Sequence, residues 1–341
     1  MTVRLDELAV PVIGAPMAGG ASTPGLVAAV NRAGGLGFLA AGYESAAAMA
    51  EQIAAARKST DRPYGVNLFV PAPPGDPAAV AAYRERLRPE AEQWGVALPE
   101  RIGPDRDDWE AKLAALLADP VPVVSYTFGL PTAREAAALR AAGTLQIGTV
   151  TTAEEARAAE AVGMDALCVQ GPEAGGHRGT HRVADRPGEV PLLQLLPAVR
   201  AVTSLPLIAA GGLGDGQAIA GALRAGAAAV QLGTALLRSD ESGASAAHRA
   251  ALTELPETVV TRAFTGRPAR GLRNAFIDRH GPYAPPAYPE VHHLTAPLRA
   301  AATRRADTSA MHLWAGTAHR LARSGPAEAV VAELWRAARG S

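Results

Sequence analysis

A single cysteine, Cys168, stands in 341 residues, so no intramolecular disulfide can form. Its place in the apolar run Ala166-Leu167-Cys168-Val169 predicts a buried, inert thiol, and a reducing cytoplasm suits such a chain. Charge of one sign is lacking too. The 33 basic and 33 acidic residues balance and form no long block, which removes the electrostatic basis for tracking nucleic-acid phosphates. No apolar run approaches the ~18 residues of a membrane span, and residues 1–7 carry acids where a secretory peptide would be apolar. These absences predict a soluble cytoplasmic protein that binds a small molecule, with neither nucleic acid nor membrane as partner; they leave its oligomeric state open.

What is present is alternation. Short apolar runs at 12–15, 36–40, 65–69, 121–125, 145–148, 166–169, 207–210 and 228–232 are separated by Ala-rich amphipathic stretches, the βαβα signal of a parallel sheet covered by helices. Thr23-Pro24 supplies an N-cap followed by proline at the first helical position, and Thr132…Glu135 and Thr152…Glu155 have capping-box spacing. Ala33-Gly34, Ala142-Gly143, Val162-Gly163 and Ala225-Gly226 are helix stops, each glycine free to take the left-handed conformation. An open doubly wound sheet would show the same local pattern, but eight units favour a closed (β/α)8 TIM barrel.

Residues 1–237 are therefore assigned to the barrel. Within it, 71–120 form an enlarged third connection whose Trp94 and Trp109 are expected to pack extra helices on the wall. After Leu237 the alternation stops. Residues 238–324 read as a smaller, mainly helical region with an Arg-rich turn (262–273), covering the carboxyl ends of the strands, and 325–341 as a helix returning to the barrel.

Barrel active sites lie at the carboxyl ends of the strands, with phosphate often held after strands seven and eight. Here those ends read Ala210-Gly211-Gly212-Leu213-Gly214 and Gln231-Leu232-Gly233-Thr234, so backbone N–H groups can approach an oxyanion unobstructed. The sixth strand runs into Gln170-Gly171-Pro172-Glu173-Ala174-Gly175-Gly176-His177-Arg178-Gly179, where a glycine-flanked histidine is placed to act as base, acid or electrostatic partner. His181 follows four residues later, but that spacing aligns metal ligands only on a helix, which the glycines oppose, so no metal site is expected. Glu173 is either an acid of the site or a cap. The remaining histidines are expected at surface or packing positions, with His292 and His293 as candidate lid contacts.

Taken with Gly14-Ala15-Pro16-Met17-Ala18-Gly19-Gly20, Gly65-Val66-Asn67-Leu68-Phe69, the 124–129 segment, Arg262-Ala263-Phe264-Thr265-Gly266-Arg267-Pro268 and Tyr288-Pro289-Glu290-Val291, these motifs resemble the nitronate monooxygenases over almost the whole chain. The resemblance implies an FMN-dependent barrel. In it Pro16, Met17 and Ala18 pack on the flavin, Asn67 bonds its polar edge, and Gln170, Gly175 and Gly176 touch it. Gly211, Gly212, Gln231, Leu232, Gly233 and Thr234 hold the phosphate, and His177 is the catalytic residue. The implied reaction is oxidation of an alkyl nitronate such as propionate 3-nitronate by O2, through a flavosemiquinone, to a carbonyl compound and nitrite. Pro172, His181 and the charged 182–189 loop depart from the pattern and bear on the substrate more than on the cofactor. The same barrel also serves NAD(P)H:quinone and enoyl reductases, and a flavin-binding interaction protein without turnover is the non-enzymatic alternative. An inosine-phosphate dehydrogenase-like reaction needs a thiolate on the loop after strand six, whereas Cys168 lies within the strand.

Overall fold

The computed structural model describes residues 4–341; the first three residues of the expected barrel lie outside it. Nine strands occur up to residue 232: β1 (Val12–Gly14), β2 (Phe38–Ala40), β3 (Gly65–Phe69), β4 (Val123–Thr127), β5 (Leu145–Val150), β6 (Ala166–Gln170), the two-residue β7 (Gly176–His177), β8 (Leu207–Ala210) and β9 (Ala229–Leu232). All except β7 form one parallel sheet in the order β1-β9-β8-β6-β5-β4-β3-β2. A parallel bridge between Ile13 and Leu36 closes it, with Gly14 N–H donating to Leu36 O at 2.9 Å. The result is a TIM barrel, and each expected apolar run contributes one strand. The fourth begins two residues late because Pro122 has no N–H for the ladder.

Side chains alternate between two buried faces. Ile13, Phe38, Val123, Ile147, Ala166, Cys168 and Ile208 fill the barrel interior, while Val12, Leu39, Val124, Leu167 and Val169 meet the surrounding helices. The four helix-stop glycines have φ of +93°, +85°, +90° and +96°, as left-handed C-caps require. Thr132 and Glu135 make a reciprocal capping box. Thr152 accepts from Glu155 N–H, but the Glu155 carboxylate turns to Thr151 N–H (2.6 Å) and His181 N–H (2.8 Å), tying the loop after β6 to the rim.

A second core lies over the carboxyl ends. It joins the helices Ala246–Glu254, Ala275–His280 and Glu290–Arg304 to Pro77–Trp94, the first of two helices in the third connection. Trp109, on the second (Trp109–Ala118), packs in the barrel wall as expected, whereas Trp94 packs in the covering core. The reason is the stripe Tyr83-Leu87-Ala91-Trp94, which faces the helix Glu290–Arg304. The Arg-rich turn is a hairpin, β10 (Thr258–Thr261) with β11 (Ala269–Leu272), and β11 also pairs antiparallel with β7, Ala269 opposite His177. The covering region therefore grips the loop after β6 through backbone hydrogen bonds. The final helix, Ala327–Arg339, packs between Pro24–Arg32 and Gly216–Arg224, with Val330, Val331 and Leu334 in the barrel-wall core.

Candidate active site

A cavity of about 380 Å³ opens at the carboxyl ends, beneath the covering region, within the size range of small-molecule sites. Pro16, Met17, Ala18, Asn67, Gln170, Gly175, Gly176, His177, Gly211, Gly212, Gln231, Leu232, Gly233 and Thr234 all line it. The structure thus brings together, from five different strand ends, the residues that the resemblance assigns to flavin binding and catalysis.

Each end is shaped by local chemistry. After β1, Ser22 Oγ accepts from Met17 N–H (2.9 Å) and donates to Ala15 O (3.2 Å), folding 15–22 into a turn whose Gly19 and Gly20 take φ of +87° and +102°. Asn67 is buried on β3 and donates to Ser125 Oγ (2.9 Å) and Thr127 Oγ1 (3.1 Å) of β4. Gln170 lines the cavity, but both polar ends of its side chain serve the loop: Nε2 donates to His177 O (2.9 Å) and Oε1 accepts from Gly179 N–H (2.8 Å). Beyond β8, Gly211 and Gly212 have φ of +118° and +72°. The amides of Gly212 and Gly233 make no hydrogen bond to another described residue, and Thr234 Oγ1 accepts from Gly316 N–H at 3.0 Å.

Glu173 resolves as a cap, its carboxylate accepting from Leu192 N–H (3.2 and 3.3 Å) at the start of the helix Leu192–Arg200. His181 Nε2 meets Thr149 O at 3.0 Å, below the rim. His293 pairs with Asp105 at 2.7 Å, and Tyr283 is exposed beneath Arg86. Cys168 sits at the cavity floor, and burial pushes its thiol up to about 12.

His177 is enclosed by rings: Phe128 at 5.4 Å between centroids, Trp314 at 5.5 Å, Tyr288 at 6.1 Å and Phe69 at 6.5 Å. Although His177 lines the cavity and is only partly buried, these walls leave it poorly solvated. Desolvation first, then Arg267 and Arg299, hold its pKa down to about 3, so the imidazole is neutral at physiological pH. Its Nε2 lies 2.9 Å from Thr265 Oγ1, which in turn points at Arg267 O (3.4 Å). Which of Nε2 and Thr265 Oγ1 donates depends on the imidazole tautomer, and Nδ1 has no hydrogen-bond partner among the described residues.

Several contributors escaped the sequence reading. Arg267 is fully buried with its guanidinium 4.0 Å above the Phe128 ring, and Arg299 bonds His292 O at 2.7 Å; among the described residues neither is paired with a carboxylate. His248 and His312, expected at surface or packing positions, line the cavity instead. Tyr43 lines it as well, and its place just beyond the second strand's carboxyl end was the signal available for finding it.

Residues 3–337 match the family model described as nitronate monooxygenase. The chain belongs to the nitronate monooxygenase family. It is 36% identical over 330 residues, 95% of this chain and 93% of the relative, to a protein of Staphylococcus aureus (strain Newman) named "probable nitronate monooxygenase". A solved structure of nitroalkane oxidase from Streptomyces ansochromogenes superposes with a TM-score of 0.95 at 51% identity, covering 98% of this chain and 97% of that one. FabK from Thermotoga maritima is more distant, with a TM-score of 0.72 and 27% identity over 99% and 97% of the two chains. As a nitronate monooxygenase family member the chain is an oxidoreductase of a flavin-dependent family, and that membership supports oxidation of nitronates or nitroalkanes. No helix among the described residues is long and apolar enough to cross a membrane.

Proposed function

We propose that this protein oxidises an alkyl nitronate, such as propionate 3-nitronate, with O2 to a carbonyl compound and nitrite, holding FMN in the cavity at the strand ends. The observation that carries this is the polarity of the cavity. One side is glycine and backbone amide; the other is a neutral histidine within an aromatic wall backed by two guanidiniums. Free N–H groups at Gly212 and Gly233, with no Cβ above them, fit a terminal phosphate. The apolar floor from Pro16 to Ala18 and the buried Asn67 amide fit a flat ring with one polar edge. When bound, FMN supplies one-electron redox chemistry, which no side chain here provides.

The chain's own residues bind, orient and move a proton. His177 Nδ1 is the base for a neutral nitroalkane: the α C–H bond breaks, the proton goes to Nδ1, and the electron pair passes into the nitro group, giving the nitronate. Arg267 and Arg299 lie close enough to lower the imidazole's pKa, and the same positive charge favours the nitronate anion as it forms. A preformed nitronate skips this step, and His177 then serves as an orienting wall.

The test is to release and chromatograph the flavin of the purified protein, then follow O2 uptake and nitrite formation with propionate 3-nitronate. FMN together with nitrite release supports the reading. FAD, no flavin, or activity with NADH and an enoyl or quinone acceptor alone would replace it.

A further inference from the structure

The backbone around His312 is fixed at three consecutive carbonyls but its side chain bonds nothing. Met311 O accepts from Asn274 Nδ2 at 2.8 Å, Leu313 O from Leu272 N–H of β11 at 2.8 Å, and Trp314 O from His248 Nε2 at 3.0 Å. The imidazole stands 6.1 Å from the Phe264 ring and edge-on to Trp314 at 5.8 Å between centroids. Neither of its nitrogens has a hydrogen-bond partner among the described residues. Nδ1 is sealed, whereas Nε2 is accessible, and the side chain lines the cavity. A rigidly mounted imidazole with an open, unpaired nitrogen has a hydrogen bond to make with whatever the cavity holds.

His312 and His177 meet the same wall. The Trp314 indole is 5.5 Å from the His177 ring and 5.8 Å from that of His312, so one ligand lying along it reaches both imidazoles at separate points. The exposed Gly243 and Ser245 also line the cavity, which therefore opens to solvent beside His248, the residue that holds Trp314 in place. No charged side chain among the described residues lines the cavity. Burial first, then Arg299, His248 and His177, holds the His312 imidazole well below its ordinary pKa, so it is neutral at physiological pH. Recognition at this point is by hydrogen bonding rather than by charge, and a neutral imidazole can carry its proton on either nitrogen, to suit an acceptor or a hydroxyl.

We propose that His312 is a specificity-determining residue whose Nε2 hydrogen-bonds an oxygen on the substrate's chain, away from the nitro carbon, with His248 as a positioning residue acting through Trp314. The substrate class is then short nitronates that carry a hydroxyl, carbonyl or carboxylate oxygen on the tail, in preference to plain alkyl nitronates. The assignment rests on the nitronate reading for the reacting end alone.

The experiment compares two matched pairs on the flavin-loaded enzyme, each differing by a hydroxyl in place of a methyl group. kcat/KM is measured with the preformed nitronates of 3-nitro-1-propanol and 1-nitrobutane, and affinity is measured calorimetrically with their unreactive planar mimics, 4-hydroxybutyrate and pentanoate. His312→Phe keeps a ring in place but removes the nitrogens. It should lower the hydroxyl-to-methyl ratio about 10-fold in both measurements, with flavin content and thermal stability unchanged, whereas His312→Gln, whose amide reaches the Nε2 position, should restore most of it. A ratio within twofold of native in His312→Phe would overturn the proposal, as would native enzyme indifferent to all four compounds. Loss of flavin from His312→Phe would overturn it too, by placing the residue in the cofactor site. A His312-dependent ratio in the calorimetry of an enzyme that oxidises neither nitronate would refute the nitronate reading while retaining the subsite.

Discussion

Gly175 and Gly176 stand side by side before His177, and the fold treats them differently. A Cβ at Gly175 would lie 2.5 Å from Gly316 N and 2.6 Å from the Ala315 carbonyl carbon, both backbone atoms that cannot rotate away. Ordinary contact begins near 3.4 Å, so Gly175→Ala must separate the two segments by about 0.9 Å (3.4 minus 2.5). One segment carries His177 and the other Trp314, whose rings are 5.5 Å apart. At Gly176, φ is +76° but nothing lies within 4 Å, so alanine there meets only the left-handed penalty. Overpacking at Gly175 should cost about 1–3 kcal/mol, and left-handed strain at Gly176 about 1–2 kcal/mol. With an unfolding entropy of ~2.1 cal/mol/K per residue, both substitutions lower Tm by only about 1.5–4 °C, measurable by calorimetry. Activity should separate them. A shift of this size at a reacting group lowers kcat/KM with a neutral nitroalkane roughly 100-fold in Gly175→Ala, whereas Gly176→Ala should stay within a few-fold of native. Near-native kcat/KM in Gly175→Ala, or a larger loss in Gly176→Ala, would refute the claim that backbone contact with 315–316 sets the position of His177.

Three further outcomes follow from the site. His177→Asn should keep the flavin and the fold but lose roughly 10²- to 10⁴-fold in turnover of neutral nitroalkanes and much less with preformed nitronates; equal, near-native rates for both would remove His177 from the chemistry. Gly233→Val should leave the fold intact, since a Cβ there makes only ordinary contacts at 3.4 Å with Ala15 and 3.7 Å with Met17, yet weaken flavin retention on dialysis; unchanged affinity would move the phosphate elsewhere. Stability should fall as pH drops from about 6.5 toward 3. His177, lowered to about 3, and His248 and His312, lowered chiefly by burial, take up protons in the unfolded chain before they do in the folded one. Their contribution is thus complete above the unfolded pKa and lost on acidification, each group adding at most about 1.4 kcal/mol per pH unit. Denaturant titrations at several pH values should show a shallower slope for His177→Asn; parallel slopes would show that His177 is ordinarily solvated.

The barrel and the glycine-rich side of the cavity were legible in the chain because their determinants are local. A parallel strand buried on both faces is a short apolar run, a helix stop is a glycine at a fixed offset, and a backbone that must approach an oxyanion is glycine wherever the fold places it. Gly211, Gly212 and Gly233 could be named from the sequence as cavity-lining positions because glycine-rich strand ends are a local signal, and His177 because glycines bracket it after a strand. What surrounds His177 was decided by tertiary structure. The pairing of β7 with β11 joins residues 92 positions apart (Ala269 with His177), and neither strand has alternation long enough to announce itself. Arg267 looks like a surface charge in an Arg-rich turn until the hairpin folds it under Phe128. Trp94 and Trp109 read alike in sequence, yet one stabilises the covering core and the other the barrel wall, because only the assembled helices determine which stripe meets which partner. Tyr43 gave no periodic signal at all: its φ of +69° is imposed by Asp107, 64 residues away, through a contact that exists only once the third connection has closed over the rim.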